Sequence, residues 1–369
     1  MRVLITGGAG FVGSSLALML KQALPEFDVW AFDNLRRRGS ELALDRLREG
    51  HVEFVHGDVR SADDLADVGR FDLLIECSAE PSVHAGFENS PGYLIQTNLV
   101  GTVNCLEAAR KYRADVIFLS TSRVYPLERL RQLPLERRGN RFEIPDAASG
   151  TGWSLKGITT DFPLSGHRTM YGATKLASEL LVEEYRAMYG LRAVINRCGV
   201  ISGPWQMGKV DQGFIVLWAA RHLYGGPLSY MGFGGEGLQV RDVLHVADLC
   251  DLVRLQISDL SRYDGALFNV GGGHERSVSL LELTKMCRER AGRNISLGSN
   301  PKTSPADVPY YITDNSQIAT ASGWMPQRGP GDVLDDVFSW LREHRGMLEA
   351  ILSSAGAAAR SVTTLTTGS

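Results

Sequence analysis

The chain has 369 residues, 44% of them hydrophobic, enough to bury a large core in one domain or two closely joined ones. Its formal net charge of -3 offers no general attraction to nucleic acid or to an anionic membrane, which leaves small ligands as the expected partners. The five cysteines Cys77, Cys105, Cys198, Cys250 and Cys287 show no metal-ligand spacing and no disulfide pattern, no apolar run approaches the ~20 residues that span a bilayer, and Met1 leads into a strand instead of a secretory signal, so a cytoplasmic protein without a metal is expected.

Arg2 to Thr6 reads as a buried strand that feeds Gly7-Gly8-Ala9-Gly10-Phe11-Val12-Gly13 and then the amphipathic Ser14 to Leu20. Strand, glycine loop and helix in this order form a phosphate cradle. Gly7, Gly10 and Gly13 permit the tight turn, the close approach of backbone to a pyrophosphate and the packing of helix on strand, while the helix N-terminus, with Phe11 and Val12, presents free amides to the anion. The second strand, Val29 to Phe32, ends at Asp33, about 20 residues beyond the loop, where a carboxylate accepts hydrogen bonds from ribose hydroxyls. With Asn34 beside it, this acid favours NAD over NADP. Arg36-Arg37-Arg38 follow, and read either as a solvated loop or as a contact for a ribose phosphate.

A third strand, Val52 to Val55, leads to Gly57-Asp58-Val59, whose Asp58 and Val59 are expected beside an adenine, and Leu73 to Ile75 is a fourth. Helical patterns at 41–48 and 62–68 lie between them. The alternation predicts an α/β fold, a Rossmann-type doubly wound parallel sheet. Tyr93 to Tyr112 reads as a further helix with Asn98 near its start, and Val116 to Leu119 as a strand ending in Ser120-Thr121-Ser122-Arg123-Val124-Tyr125. Thr121, at a strand's carboxyl end, faces the ligand crevice of such sheets or simply caps the strand. Leu127 to Arg141 carries five arginines and reads as a solvated excursion or as a flap that meets substrate phosphates; 147–167 reads as a loop.

Tyr171 and Lys175 are four apart and share a helical face, where a fixed ammonium favours the phenolate and equips Tyr171 to act as a base. The same spacing occurs on ordinary solvated helices. Leu176, Leu180 and Leu181 give the helix an apolar stripe, for the sheet or for a second subunit. After the strand Ala193 to Arg197, the glycine-rich 199–237 suits a small domain folding over a polar ligand. In Gln239 to Asp248, Arg241 is placed to clamp a phosphate or ribose, whereas Asp242 and His245 are as easily structural. A strand at 266–270, a helix at 279–291 and a last helix at 335–344 complete the pattern, and 353–369 reads as a disordered tail.

Taken together, Thr6 to Gly13, Asp33-Asn34-Leu35, Gly57-Asp58-Val59, Ser120 to Tyr125 and Tyr171 to Lys175 resemble the extended short-chain dehydrogenase/reductases, the NAD-dependent nucleotide-sugar epimerases and dehydratases. Asp211-Gln212-Gly213-Phe214, Gly237 to His245 and Ser277 to Leu283 look most like the CDP-paratose 2-epimerases within that group. The resemblance implies an isomerase with Thr121, Tyr171 and Lys175 as catalytic residues, in which Lys175 also holds the nicotinamide ribose and a keto sugar forms and is reduced from its opposite face. It implies two domains: residues 1–198 plus 243–270 for NAD, and a smaller C-terminal domain, 199–242 plus 271–348, for a nucleotide sugar, with a tail from 349. Glu80, Ser122, Arg123, Gln239 and Arg241 are the expected substrate-binding residues, and a homodimer or homotetramer the expected assembly. The best match is C2 epimerisation of a CDP-sugar. Alternatives are a 4-epimerase of a UDP- or other nucleotide sugar, a 4,6-dehydratase, or a non-catalytic NAD- or RNA-binding protein on the same fold.

Three departures from the family pattern stand out. Dehydratases carry an acidic pair after the threonine, where this chain has Ser122 and Arg123. An Arg-x-x-Asp nucleotide clamp is replaced by Ser304-Pro305-Ala306-Asp307. Glu76 and Glu80 stand where relatives have histidine and usually glutamine; Glu80 reads as a ligand for a sugar hydroxyl or an amine, or as a bystander in a polar crevice.

Overall fold

The computed structural model describes residues 1–87, 90–208 and 212–353. Seven parallel strands build the main sheet: β1 (Arg2–Thr6), β2 (Asp28–Asp33), β3 (Glu53–His56), β4 (Leu73–Glu76), β5 (Asp115–Thr121), β6 (Ala193–Cys198) and β7 (Leu267–Val270). Their order is β7-β6-β5-β4-β1-β2-β3. Continuous apolar strands need cover on both faces. Val3 and Ile5 face one core, packed with α1 (Phe11–Ala23) and, later in the chain, the helix Val246–Ser258, whereas Leu4 faces a second core with Phe118, Leu106 and Val182. Because side chains alternate along a strand, this one pentapeptide serves both layers. The strand order reverses between β1 and β4, and a crevice opens there at the carboxyl ends.

The expected single helix 93–112 is interrupted. Gly92–Ile95 passes through a π-helical turn, Gln96–Val100, before α2 (Gly101–Tyr112) begins, and Asn98 sits in that turn. Such turns inside helices frequently mark functional sites. The Tyr171 helix, α3, spans Met170–Tyr189, with Thr169 capping its start and Gly190 in the left-handed conformation at its end.

A second sheet is organised around the strand Val240–His245, which pairs in parallel with Val200–Ser202 and Tyr310–Tyr311 and antiparallel with Ser277–Ser279. Helices Phe214–Tyr224, Leu280–Ala291 and Pro330–Glu343 cover it with their own core. The division drawn from sequence between 242 and 243 falls inside this central strand. Val243 belongs to the smaller lobe's core and Leu244 to the main sheet's core, so the strand joins the two. A further helix, Arg345–Leu352, buries Leu348 and Leu352, so residues 349–352 finish a core and do not begin the tail; residues 354–369 lie outside the described residues.

The basic excursion is largely exposed, in line with its solvated reading, and its arginines are nonetheless engaged. Arg129 bonds Ser165, Arg131 donates to the carbonyls of Ser304, Pro305 and Asp307, Arg137 pairs with Glu236, Arg138 with Glu136 and Asp146, and Arg141 with Glu143 and Glu282. Arg131, Arg137 and Arg141 thereby tie the excursion to the smaller lobe, and none of the five guanidiniums lines the cleft.

Candidate active site

One cleft of about 770 Å³ runs along the crevice and under the smaller lobe. At its first end the glycine loop is pressed against β2: a Cβ on Gly8 would stand 2.6 Å from the Ala31 Cα, and Gly7 adopts a φ of 63°. A Cβ on Gly13 would run into the Gly7 carbonyl, so only glycine lets α1 start this close to the loop. The first amides of α1 have no partner within the helix, and Phe11, Val12 and Gly13 line the cleft with them. Asp33 ends β2 beside the loop, accepting from the backbone N–H of Ala9 at 3.1 Å and of Leu35 at 2.8 Å. Burial pushes its carboxyl above the ordinary range, while these amides oppose that. A glycine cradle that any Cβ would fill, followed by a carboxylate at the next strand end, fits a dinucleotide's pyrophosphate and ribose.

Asn34 and Val59 also line the cleft, but two residues nominated for the cofactor do not. Asp58 is committed to the Asn34 amide at 2.8 Å and to Arg60 at 2.6 Å, and the Arg60 guanidinium holds its carboxyl down at about 2. Asn98 is buried and braces the Glu80 loop, accepting from Glu80 N at 2.7 Å and donating to Glu80 O at 3.1 Å and Thr174 Oγ1 at 3.3 Å. Both support residues that reach the cleft.

At the other end, β5 delivers Thr121, and the turn Ser122–Val124 follows at once. The turn is fixed by the Arg123 N–H donating to Thr121 Oγ1 at 3.2 Å and by the start of α3, where a Cβ on Gly172 would collide with the Arg123 carbonyl. Tyr171 is thereby held against Thr121. Desolvation by the surrounding protein pushes the half-buried phenol up to about 12; the Thr121 hydrogen bond and the Arg123 charge pull it down, while Cys198 and Glu76 push it further up.

The spacing argument expected Lys175 to hold that phenol low. The structure engages the lysine elsewhere: its buried ammonium lies 3.3 Å from Glu76 Oε2 and 3.9 Å above the Phe118 ring, and the Ser78 hydroxyl donates to the other Glu76 oxygen. Glu76, which sequence flagged only as a departure, is thus the partner of Lys175.

Glu80, Ser122, Arg123, Gln239 and Arg241 all line the cleft. Gln239 Nε2 donates to the Met231 carbonyl at 2.9 Å, leaving its buried Oε1 without a protein donor. Arg241 is largely buried, paired with Asp307 at 2.8 Å and donating to the Val240 and Val308 carbonyls; burial lowers its guanidinium to about 10. Asp242 and His245 are structural: Asp242 accepts from the Gly273 and Thr313 amides, and His245 caps its helix through Ala247 N. Asp211 of the resemblance motif lies outside the described residues.

A dinucleotide cradle and a half-buried phenol opening into one cleft define a class, the enzymes that process a substrate beside a bound nicotinamide dinucleotide. The model of the NAD dependent epimerase/dehydratase family matches residues 3–271, and the chain belongs to that family. NAD is its cofactor. The chain is 30% identical to a CDP-paratose 2-epimerase of Salmonella typhi, over 92% of this chain and 99% of that protein. Among solved structures, a double mutant of dTDP-glucose 4,6-dehydratase from Streptomyces venezuelae with NAD bound is 27% identical with a TM-score of 0.76, covering 95% of this chain and 100% of that one. A UDP-glucose 4-epimerase of Thermus thermophilus in complex with NAD is 26% identical with a TM-score of 0.72, covering 93% of this chain and 99% of that one.

Proposed function

We propose that the protein inverts one carbon of a nucleotide-activated sugar through a transient keto sugar, and that the substrate is a CDP-sugar inverted at C2. What carries the choice of inversion over loss of water is the make-up of the reaction end. Ser122 and Arg123 follow Thr121 on the cleft wall, so no carboxylate stands there to drive elimination. The choice of CDP and of C2 is supported by similarity to a CDP-paratose 2-epimerase over nearly the whole of both chains.

In this reading the sugar hydroxyl lies between Thr121 and Tyr171. The Tyr171 oxygen takes the hydroxyl proton, the Thr121 hydroxyl holds the same oxygen in place, and the carbonyl forms as the carbon-bound hydrogen departs as hydride. Bound NAD supplies the acceptor and then the donor of that hydride. Glycine loop, Phe11, Val12, Asp33 and Asn34 hold the cofactor, while Lys175, on the cleft wall, is the cation that would reach the ribose beside Tyr171 by turning from Glu76. Once the keto sugar has turned over, Tyr171 returns the proton to the oxygen and the carbon is inverted. Proton and hydride are both restored, so no net redox change occurs. A homodimer through α2 and α3 accompanies this reading, supported by the exposed Leu180, Met188 and Tyr189 along α3.

The test is incubation with CDP-, UDP- and dTDP-sugars in deuterated water, followed by NMR of the products. Inversion at C2 without solvent deuterium at that carbon is expected, because the cofactor carries the hydride. Inversion at C4 alone sinks the C2 assignment, and a dehydrated product sinks epimerisation. Tyr171→Phe is expected to lower kcat by about 10²- to 10⁴-fold.

A further inference from the structure

Arg123 and Arg241 both line the cleft, yet their charges are handled differently. Arg241 is neutralised by Asp307 and has two backbone carbonyls as additional acceptors. The half-buried Arg123 meets only the Ala306 carbonyl, at 3.3 Å from Nη1, and among the described residues no carboxylate lies within ion-pair distance of it. A partly desolvated cation with a single neutral acceptor calls for an anion. Its position is also fixed, since its N–H bonds Thr121, its carbonyl abuts Gly172, and the next residues, Val124 and Tyr125, are buried. The backbone of Arg123 therefore holds a fixed relation to both groups that would grip the reacting hydroxyl.

We infer that Arg123 binds the phosphate carried on the sugar's anomeric carbon, and that this contact sets which carbon is presented to Tyr171. The inference rests on the nucleotide-sugar reading given above. In a nucleotide sugar the phosphate joins through one oxygen to C1, the immediate neighbour of C2. A C2 hydroxyl held by Thr121 and Tyr171 brings that phosphate to the adjacent turn, where Arg123 stands. A C4 hydroxyl in the same place puts the sugar ring between the reacting carbon and the phosphate and carries the anion away from Arg123. The pull that Arg123 exerts on the Tyr171 phenol accords with so short a separation.

The inference is tested by calorimetric titration of NAD-loaded protein with CDP and CMP, where the terminal phosphate of CDP stands for the anomeric one. Wild type is expected to prefer CDP. Arg123→Met is expected to weaken CDP about ten- to hundredfold and leave CMP unchanged, with Arg123→Lys in between and with melting temperature and NAD content as in wild type. Equal CDP binding by wild type and Arg123→Met, or an equal loss for both nucleotides, overturns the contact. UDP/UMP and dTDP/dTMP pairs serve the same test for another base, and failure of every pair to bind wild type overturns the contact and the nucleotide-sugar reading together. Selective loss of diphosphate binding in a protein whose product is inverted at C4 upholds the phosphate contact and overturns the presentation of C2.

Discussion

In the proposed chemistry Lys175 has two claims on it. It shares a helical face with the phenol it is expected to assist, but its buried ammonium lies 3.3 Å from Glu76, which offsets its charge. Burial above all pushes the Tyr171 phenol up to about 12, with Glu76 adding to the rise, so the phenol keeps its proton at neutral pH. A base must lose its proton first, so kcat/KM is expected to climb with pH as the phenol ionises. Removing the carboxylate charge with Glu76→Gln takes away one of the influences that push the phenol up, and the rising limb should move to lower pH. A move to higher pH would mean that unpaired Lys175 had lost its own proton, and would sink this account. The Tyr171–Lys175 pair was legible in the sequence because it is local, one helical turn. Glu76 was not, because it stands 99 positions before the lysine and only the packing of α3 on β5, the neighbour of β4, brings them together.

At the scale of elements, the site depends on how α3 is fastened to the sheet. Glu179, one turn beyond Lys175, accepts from Arg197 of β6 at 2.7 Å and from the Ser120 hydroxyl of β5, with both charged side chains buried. Replacing one partner strands the other charge, and Glu179→Leu is expected to cost about 3–5 kcal/mol in denaturant unfolding. A loss below ~1 kcal/mol would mean that the pair is not what anchors the helix. Gly172 sets the fine position. Gly172→Ala places a methyl group against the Arg123 carbonyl and must lift Tyr171 from Thr121, so kcat is expected to fall at least about tenfold while NAD binding holds, because displacement of a base acts on the chemical step. The strands of the main sheet, α1 and α3 were readable from apolar periodicity, and the glycine loop from its context, whereas the helices Phe214–Tyr224 and Val246–Ser258 went unread. Of the basic excursion the solvated face was legible but the anchoring was not: Arg131 bonds carbonyls more than 170 residues away, and nothing local marks such an arginine.

For the molecule as a whole, the decisive element is the strand Val240–His245. It carries Gln239 and Arg241 to the cleft at its start, contributes Val243 to the smaller lobe's core and Leu244 to the core of the main sheet, and continues directly into the helix that covers β1. A strand shared between two cores couples their unfolding, because neither lobe can lose it alone. The border expected from sequence runs through this strand, since a buried apolar run looks the same whether it serves one core or two. The coupling is measurable. The glycine loop and Asp33 belong to the first lobe, yet saturating NAD at about a hundred times its dissociation constant should add about 2.7 kcal/mol to the stability of the entire chain. Calorimetry is therefore expected to show one transition that moves upward as a unit with NAD. Two transitions, of which NAD raises only one, would show that the lobes fold independently and that the strand is merely a linker.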